Sequence, residues 1–194
     1  MSDPKSLCVY CGSHVGHDPR HREAAATLGR EAAERGVALV FGGGRVGLMG
    51  VLADAALAAG GHVVGIIPEH LETREVGHAG VSELVVVGSM HERKMEMFRR
   101  ADAFAVLPGG LGTLDETFEI VTWKQLGLHA KPLVLVDVAG YWAPLRAMLE
   151  RQVAAGFLRP AHAALLDVVD DVAEVLPTIA RHRAAAAPAD TRHM

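Results

Sequence analysis

The sequence predicts an α/β protein, a doubly wound and mostly parallel sheet with helices on both faces. Three observations predict it. Short continuous runs of Val, Ile and Leu recur along the chain, the mark of strands buried on both faces. Segments with helical spacing of apolar residues separate them, so strand and helix alternate. Glycine clusters follow two of the strands and open the next helices, at the strand ends where such sheets bind ligands.

In chain order, residues 7–11 read as the first strand, and residues 20–35 as a helix stopped by Gly36, a natural C′ residue. Residues 37–41 are a continuous apolar run that Gly42, Gly43 and Gly44 end. Residues 48–59 form an alanine-rich helix closed by Gly60 and Gly61. The third strand, 62–67, stops at Pro68, and the polar stretch 69–82 reads as a loop or short helix. Strand 84–87, helix 89–100 and strand 103–107 follow. After Pro108 and a second glycine cluster come a helix from about 113 to 126, a strand at 133–136 and a helix at 141–155 that Gly156 stops. A short strand at 165–169 and a last helix at 172–180 complete the pattern. With no repeat and no linker, residues 1–180 read as one domain and residues 181–194, with four alanines and a proline, as a frayed tail.

Composition narrows the function. The chain has 194 residues, half of them hydrophobic and 22% charged, which excludes a largely disordered protein. A net charge of −4 with no basic run argues against general nucleic-acid binding and leaves room only for a local phosphate pocket. No apolar stretch reaches the roughly 18 residues of a membrane helix, and the first residues lack a signal-peptide pattern, so no membrane partner and a cytoplasmic location are expected. Cys8 and Cys11 form a C-x-x-C within a strand rather than at a helix start. Side chains three apart on a strand face opposite ways, so two reduced thiols are expected. No histidine cluster has metal-ligand spacing: His17 and His21 lack a third partner, and His91-Glu92 is followed by Met95 where a zinc motif needs histidine.

Three constellations carry chemistry. The first, residues 42–50, reads GGGRVGLMG. Gly42, Gly44 and Gly47 satisfy G-x-G-x-x-G, and exposed N–H groups at a helix start favour a phosphate. The loop lies in the second βα unit, without the acid that a dinucleotide site wants about 20 residues on. A packing turn is the competing reading. The second, residues 108–116, reads PGGLGTLDE. Its glycines let backbone N–H groups face a ligand, and Thr113 offers a helix cap or a hydroxyl. Glu116 is either a chemical group or the far end of a Thr113-x-x-Glu116 capping box. The third is Ser89 to Met95. Ser89 and Glu92 form a capping box that places Arg93 and Lys94 in the first helical turn. Cations there oppose the helix dipole, so an anionic ligand would compensate them; two solvated surface cations are the competing reading. No P-loop occurs, which excludes nucleoside triphosphate hydrolysis of that type.

These three segments, in this order and spacing, resemble the LOG (lonely guy) family of cytokinin riboside 5′-monophosphate phosphoribohydrolases, whose members are often labelled lysine decarboxylase-like. The likeness runs from about Cys8 to Phe157 and includes the CGS turn at 11–13, the REVGH segment at 74–78 and TWKQLG at 122–127. It implies a Rossmann-like fold, a homodimer, no cofactor, and hydrolysis of the N-glycosidic bond of N6-modified AMP to free base and ribose 5-phosphate. By motif position, the catalytic pair falls on Arg93 and Glu116. Substrate contacts fall on Glu75, Lys94 and Thr122, on Ser13 and Met90, and on the run Gly110, Leu111, Gly112, Thr113, Leu114, Asp115 and Glu116. Gly43, Gly44 and Gly109, with Gly110 and Thr113, would hold the phosphate and sugar. Asp115 stands where plant members tend to carry glutamate. A pyridoxal-dependent decarboxylase needs a lysine for the cofactor, and of Lys5, Lys94, Lys124 and Lys131 only Lys94 sits in a candidate segment.

A carboxylate beside the anomeric carbon stabilises an oxocarbenium-like transition state or activates water, the role assigned to Glu116. Two other readings stay open at this level: an NAD-dependent oxidoreductase using the 42–47 loop, and a non-catalytic nucleotide-binding module. Trp123, Leu126 and Leu128 read either as an apolar dimer face or as core.

Overall fold

A computed structural model describes residues 3–72 and 77–186 of the chain. Seven strands form one sheet in which every paired neighbour is parallel: β1 (Ser6–Tyr10), β2 (Ala38–Phe41), β3 (Val63–Pro68), β4 (Glu83–Val87), β5 (Ala103–Val106), β6 (Leu133–Val136) and β7 (Asp167–Val169). Their spatial order is β4-β3-β2-β1-β5-β6-β7. The chain builds outward from β1 to β4, then returns to place β5 against β1, with Leu7 opposite Ala103 and Tyr10 opposite Val106. That reversal makes the carboxyl ends of β1 and β5 the switch point of the sheet, where a crevice opens between diverging loops.

The period-2 pattern of β1 shows how the sheet separates two cores. Leu7, Val9 and Cys11 face one side, where helices α1 (Pro19–Glu34), α2 (Gly47–Ala58) and α8 (Val175–Ala186) pack with Leu28, Leu52 and Ile179. Cys8 and Tyr10 face the other, against Met97 of α4 (Met90–Arg100) and Ile120 of α5 (Leu111–Gln125). The two thiols are free and buried on opposite faces, as the strand reading requires.

The predicted elements all occur, with displaced ends. The stretch after β3 holds a single helical turn, α3 (Glu69–Glu72). The helix expected from 141 begins later, as α6 (Ala143–Ala154), after a 3-10 turn at Val138–Gly140. A short α7 (Pro160–Ala163) precedes β7. The last helix does not stop at Ala180 but continues to Ala186. Alanine is the best helix former, and His182 and Arg183 are held to Asp167 and Asp102. Residues 187–194 of the expected tail lie outside the described residues. Among the described residues, no helix is long and apolar enough to cross a membrane.

Candidate active site

The loops that follow β1, β2 and β5 are tied together at the switch point. The Gly12 N–H donates to the Pro108 carbonyl (3.0 Å), and the Gly12 carbonyl accepts from Leu48 at the start of α2 (2.9 Å). A cavity of about 200 Å³ opens there. Arg93 of α4 and Glu116 of α5 both stand on its wall, although they come from different helices, and both are buried (5% and 8% exposed). Arg93 is therefore not a solvated surface cation. Its Nη2 donates to the carbonyl of Gly42 at 2.9 Å, and its Nη1 approaches the Met90 sulfur at 3.8 Å.

The charges of Arg93 and Glu116 are felt by the same neighbours. Burial pushes the Cys11 thiol well above its ordinary pKa, Glu116 adds to the shift and Arg93 offsets part of it. Cys8 is raised in the same way, with burial again the largest cause. Neither thiol is a nucleophile at neutral pH.

The second glycine loop supplies the floor. α5 begins at Leu111 with Gly110 as its N-cap, and no side chain caps it. Thr113 is thus the third residue of the helix, and a Thr113–Glu116 capping box does not form. The first bond of the helix runs from the Leu114 N–H to the Gly110 carbonyl (3.1 Å). The N–H groups of Leu111, Gly112 and Thr113 precede it, and such early donors with the dipole behind them suit an anion. Leu111, Gly112, Thr113 and Gly110 all lie on the cavity wall. A Cβ added to Gly110 or Gly112 would meet nothing within 4 Å, and neither has a positive φ. Packing does not demand glycine at these two positions, and their missing side chains leave open space beside the early N–H groups. Gly109 differs: a Cβ there would lie 2.1 Å from the Thr113 hydroxyl, so it serves that contact.

The first glycine loop behaves otherwise. Its glycines are used up within the chain. A Cβ on Gly42 would lie 1.9 Å from Arg93 Nη2, and one on Gly47, at φ +64°, would lie 2.1 Å from the Ser13 backbone. Gly43, at φ +77°, abuts Ile66 and Ile67. Gly42 reaches the cavity wall, but Gly43, Gly44 and Gly109 do not. At Gly42, Gly43 and Gly47 the packing reading of this loop accounts for the glycines.

Of the other expected contacts, Ser13 and Met90 line the cavity. Lys94 does not. Its Nζ bridges Asp115 (3.1 Å) and Glu119 (3.2 Å). Burial alone would lower its pKa, and the two carboxylates outweigh that and raise it. Asp115 and Leu114 are likewise off the wall, the first on Lys94 and the second packed against the core. Thr122 lies on the exposed far side of α5, in a groove toward α6 and α7. Glu75 lies outside the described residues. Trp123 packs edge-on against Phe98, whereas Leu126 and Leu128 are exposed. Gly42 and Met49 of the first glycine segment also reach the wall, and sequence reasoning missed the rest of it: Val9, Tyr10, Cys11, Leu71 and Met97. Their apolar character reads as core along the chain, and only the converging loops turn them toward a cavity. Among the described residues, no group of three or more histidines, cysteines and carboxylates is arranged to hold a metal ion.

Comparison with known proteins adds to this geometry. A family model described as possible lysine decarboxylase matches residues 49–179. A probable cytokinin riboside 5′-monophosphate phosphoribohydrolase of Oryza sativa subsp. japonica is 51% identical over 158 residues, covering 81% of this chain and 70% of that protein. A cytokinin riboside 5′-monophosphate phosphoribohydrolase of Arabidopsis thaliana is 48% identical over 156 residues, 80% of this chain and 72% of that one. Among solved structures, the Moco carrier protein of Chlamydomonas reinhardtii superposes with a TM-score of 0.70 at 20% identity, over 95% of this chain and 99% of that one, a likeness of fold.

Proposed function

The chain belongs to the LOG family of cytokinin riboside 5′-monophosphate phosphoribohydrolases, and from that premise we propose that it hydrolyses the N-glycosidic bond of N6-substituted AMP. The observation that carries this reading is the meeting of Arg93 and Glu116, both buried, on one cavity whose floor is the uncapped start of α5.

The chemistry follows from that arrangement. The 5′-phosphate sits on the N–H groups of Leu111, Gly112 and Thr113, with Gly110 and Gly112 leaving room for its oxygens. The base lies along Met49, Met90, Met97 and Leu71, an adaptable apolar wall. Ser13 borders the same space. As the bond from the anomeric carbon to the base nitrogen breaks, positive charge grows on the sugar, and the Glu116 carboxylate stabilises it and orients the attacking water. The bonding electrons leave with the base. Arg93 offsets that charge until the base nitrogen is protonated. Water adds its oxygen to the anomeric carbon and gives up a proton through Glu116, the base nitrogen takes one from solvent, and the products are the free base and ribose 5-phosphate.

The decarboxylase description does not fit. Of the four lysines, none lies on the cavity wall. Lys94 is held by two carboxylates, and Lys124 and Lys131 donate to the carbonyls of Leu165 and Phe98.

A homodimer in the cytoplasm belongs to the same reading. α6 buries none of its side chains, and Leu126, Leu128 and Phe157 (89% exposed) leave apolar surface around α5 and α6 for a second copy. The free thiols suit a reducing compartment.

Incubation with AMP and with isopentenyl-AMP, followed by chromatography, tests the reaction: free base and ribose 5-phosphate are expected in equal amounts. Glu116→Gln is expected to lower kcat by roughly 10³-fold with the fold retained. Full activity in that variant would refute the assignment.

A further inference from the structure

We infer that His78 is a positioning residue for this site, acting through the Gly42–Gly44 turn on Arg93. The inference rests on the hydrolase reading above and goes beyond it, because His78 does not line the cavity.

The imidazole is 3% exposed and satisfied at both nitrogens. The Gly80 N–H donates to Nδ1 (3.2 Å), so that nitrogen carries no proton. Nε2 therefore carries it and donates to Asp54 Oδ1 on α2 at 3.0 Å. The backbone on either side grips the glycine turn. The His78 N–H donates to the Gly43 carbonyl (2.9 Å), and Gly77 pairs with Gly44 in an antiparallel bridge. One residue earlier, the Gly42 carbonyl accepts from Arg93 Nη2. The segment is thus anchored to α2 by its ring and to the turn that opens α2 by its main chain. Three consecutive glycines have little conformational preference of their own. They need an outside support to keep one carbonyl aimed at Arg93, and this clamp is that support. A leucine would fill the space as well, but it would supply neither the acceptor for Gly80 nor the donor for Asp54.

Four variants separate this from a simple packing role: His78→Leu, His78→Gln, His78→Asn and Asp54→Ala, each assayed for kcat and KM with isopentenyl-AMP and for melting temperature. A protein that is merely less stable loses kcat in proportion to its folded fraction and keeps its KM. A displaced turn misaligns Arg93 and raises KM. His78→Leu and Asp54→Ala are expected to raise KM about tenfold and to lower kcat/KM by about 10- to 100-fold, the scale for a displacement near 1 Å. His78→Gln keeps an N–H within reach of Asp54 and is expected to stay within about threefold of wild type. His78→Asn keeps only the acceptor for Gly80 and is expected to resemble Asp54→Ala. An unchanged KM in Asp54→Ala, or a glutamine variant as impaired as the leucine one, would overturn the inference. If His78→Leu does not fold, Asp54→Ala at its exposed position decides alone. If the wild type cleaves neither AMP nor isopentenyl-AMP, the hydrolase reading fails. The same comparison is then made with the AMP dissociation constant, and equal affinity in wild type and Asp54→Ala would overturn the positioning role.

Discussion

Gly42→Ala is a one-carbon change on the cavity wall, aimed at Arg93. Gly42 does not have a positive φ, so alanine adopts its backbone without strain. The new Cβ would stand 1.9 Å from Arg93 Nη2, 3.0 Å from Cζ and 3.1 Å from the Met49 sulfur. Ordinary contact begins near 3.4 Å, so the guanidinium retreats by about 1.5 Å. It then gives up its 2.9 Å bond to the Gly42 carbonyl. A displacement of this size near the reacting atoms costs about 10²-fold, so kcat/KM is expected to be lower by about 10- to 100-fold. A hydrogen bond from a charged group contributes about 1.5–3 kcal/mol to stability, so the melting temperature is expected to fall by about 3–12 °C. Steady-state hydrolysis of AMP, beside a thermal melt of the same preparation, measures both. Wild-type kcat/KM in Gly42→Ala would show that the position of the Arg93 guanidinium does not matter to the reaction, and the mechanism above would fall.

Two further predictions use the same contacts. Gly110→Ala meets no protein atom and has an unstrained φ of −96°, so its melting temperature is expected to match wild type while KM for AMP rises about tenfold, because the methyl group enters the space assigned to phosphate; an unchanged KM would move the phosphate elsewhere. Lys94→Met leaves Asp115 and Glu119 without their shared cation, with an expected loss of about 1 kcal/mol, or about 2–4 °C, by thermal melt at pH 7. Because the folded-state pKa of Lys94 is raised, its contribution is fully present at neutral pH and is lost only above the ordinary lysine value of 10.5. The difference between variant and wild type is therefore expected to stay constant from pH 6 to 9, and a difference that vanishes within that range would refute the pairing.

Much of the architecture was legible along the chain, because its signals are local. The apolar runs ending at Phe41, Pro68 and Val136 are buried on both faces wherever they lie in a parallel sheet, and Gly36, Gly60 and Gly156 each take the positive φ that ends a helix. Where the reading failed, a tertiary contact overrode a local pattern. Thr113-x-x-Glu116 has the spacing of a capping box, yet α5 starts two residues earlier because the loop through Gly109 packs on the Thr113 hydroxyl. The G-x-G-x-x-G at Gly42 has the form of a phosphate loop, yet a side chain at Gly42, Gly43 or Gly47 would run into Arg93, Ile67 or Ser13, so packing by itself accounts for these glycines. Lys94 adjoins Arg93 in sequence, but successive helical residues point about 100° apart, and one reaches the cavity while the other crosses to Asp115 and Glu119.

The order of residue types along the chain specifies the alternation of strand and helix, the two glycine loops and the identities of Arg93 and Glu116, since each depends on neighbours a few positions away. Which residues of each glycine loop border the cavity, and whether a histidine at position 78 supports an arginine at position 93, depend on distances between segments dozens of residues apart. Those distances exist only once β5 returns to lie beside β1 and brings the three loops to one end of the sheet.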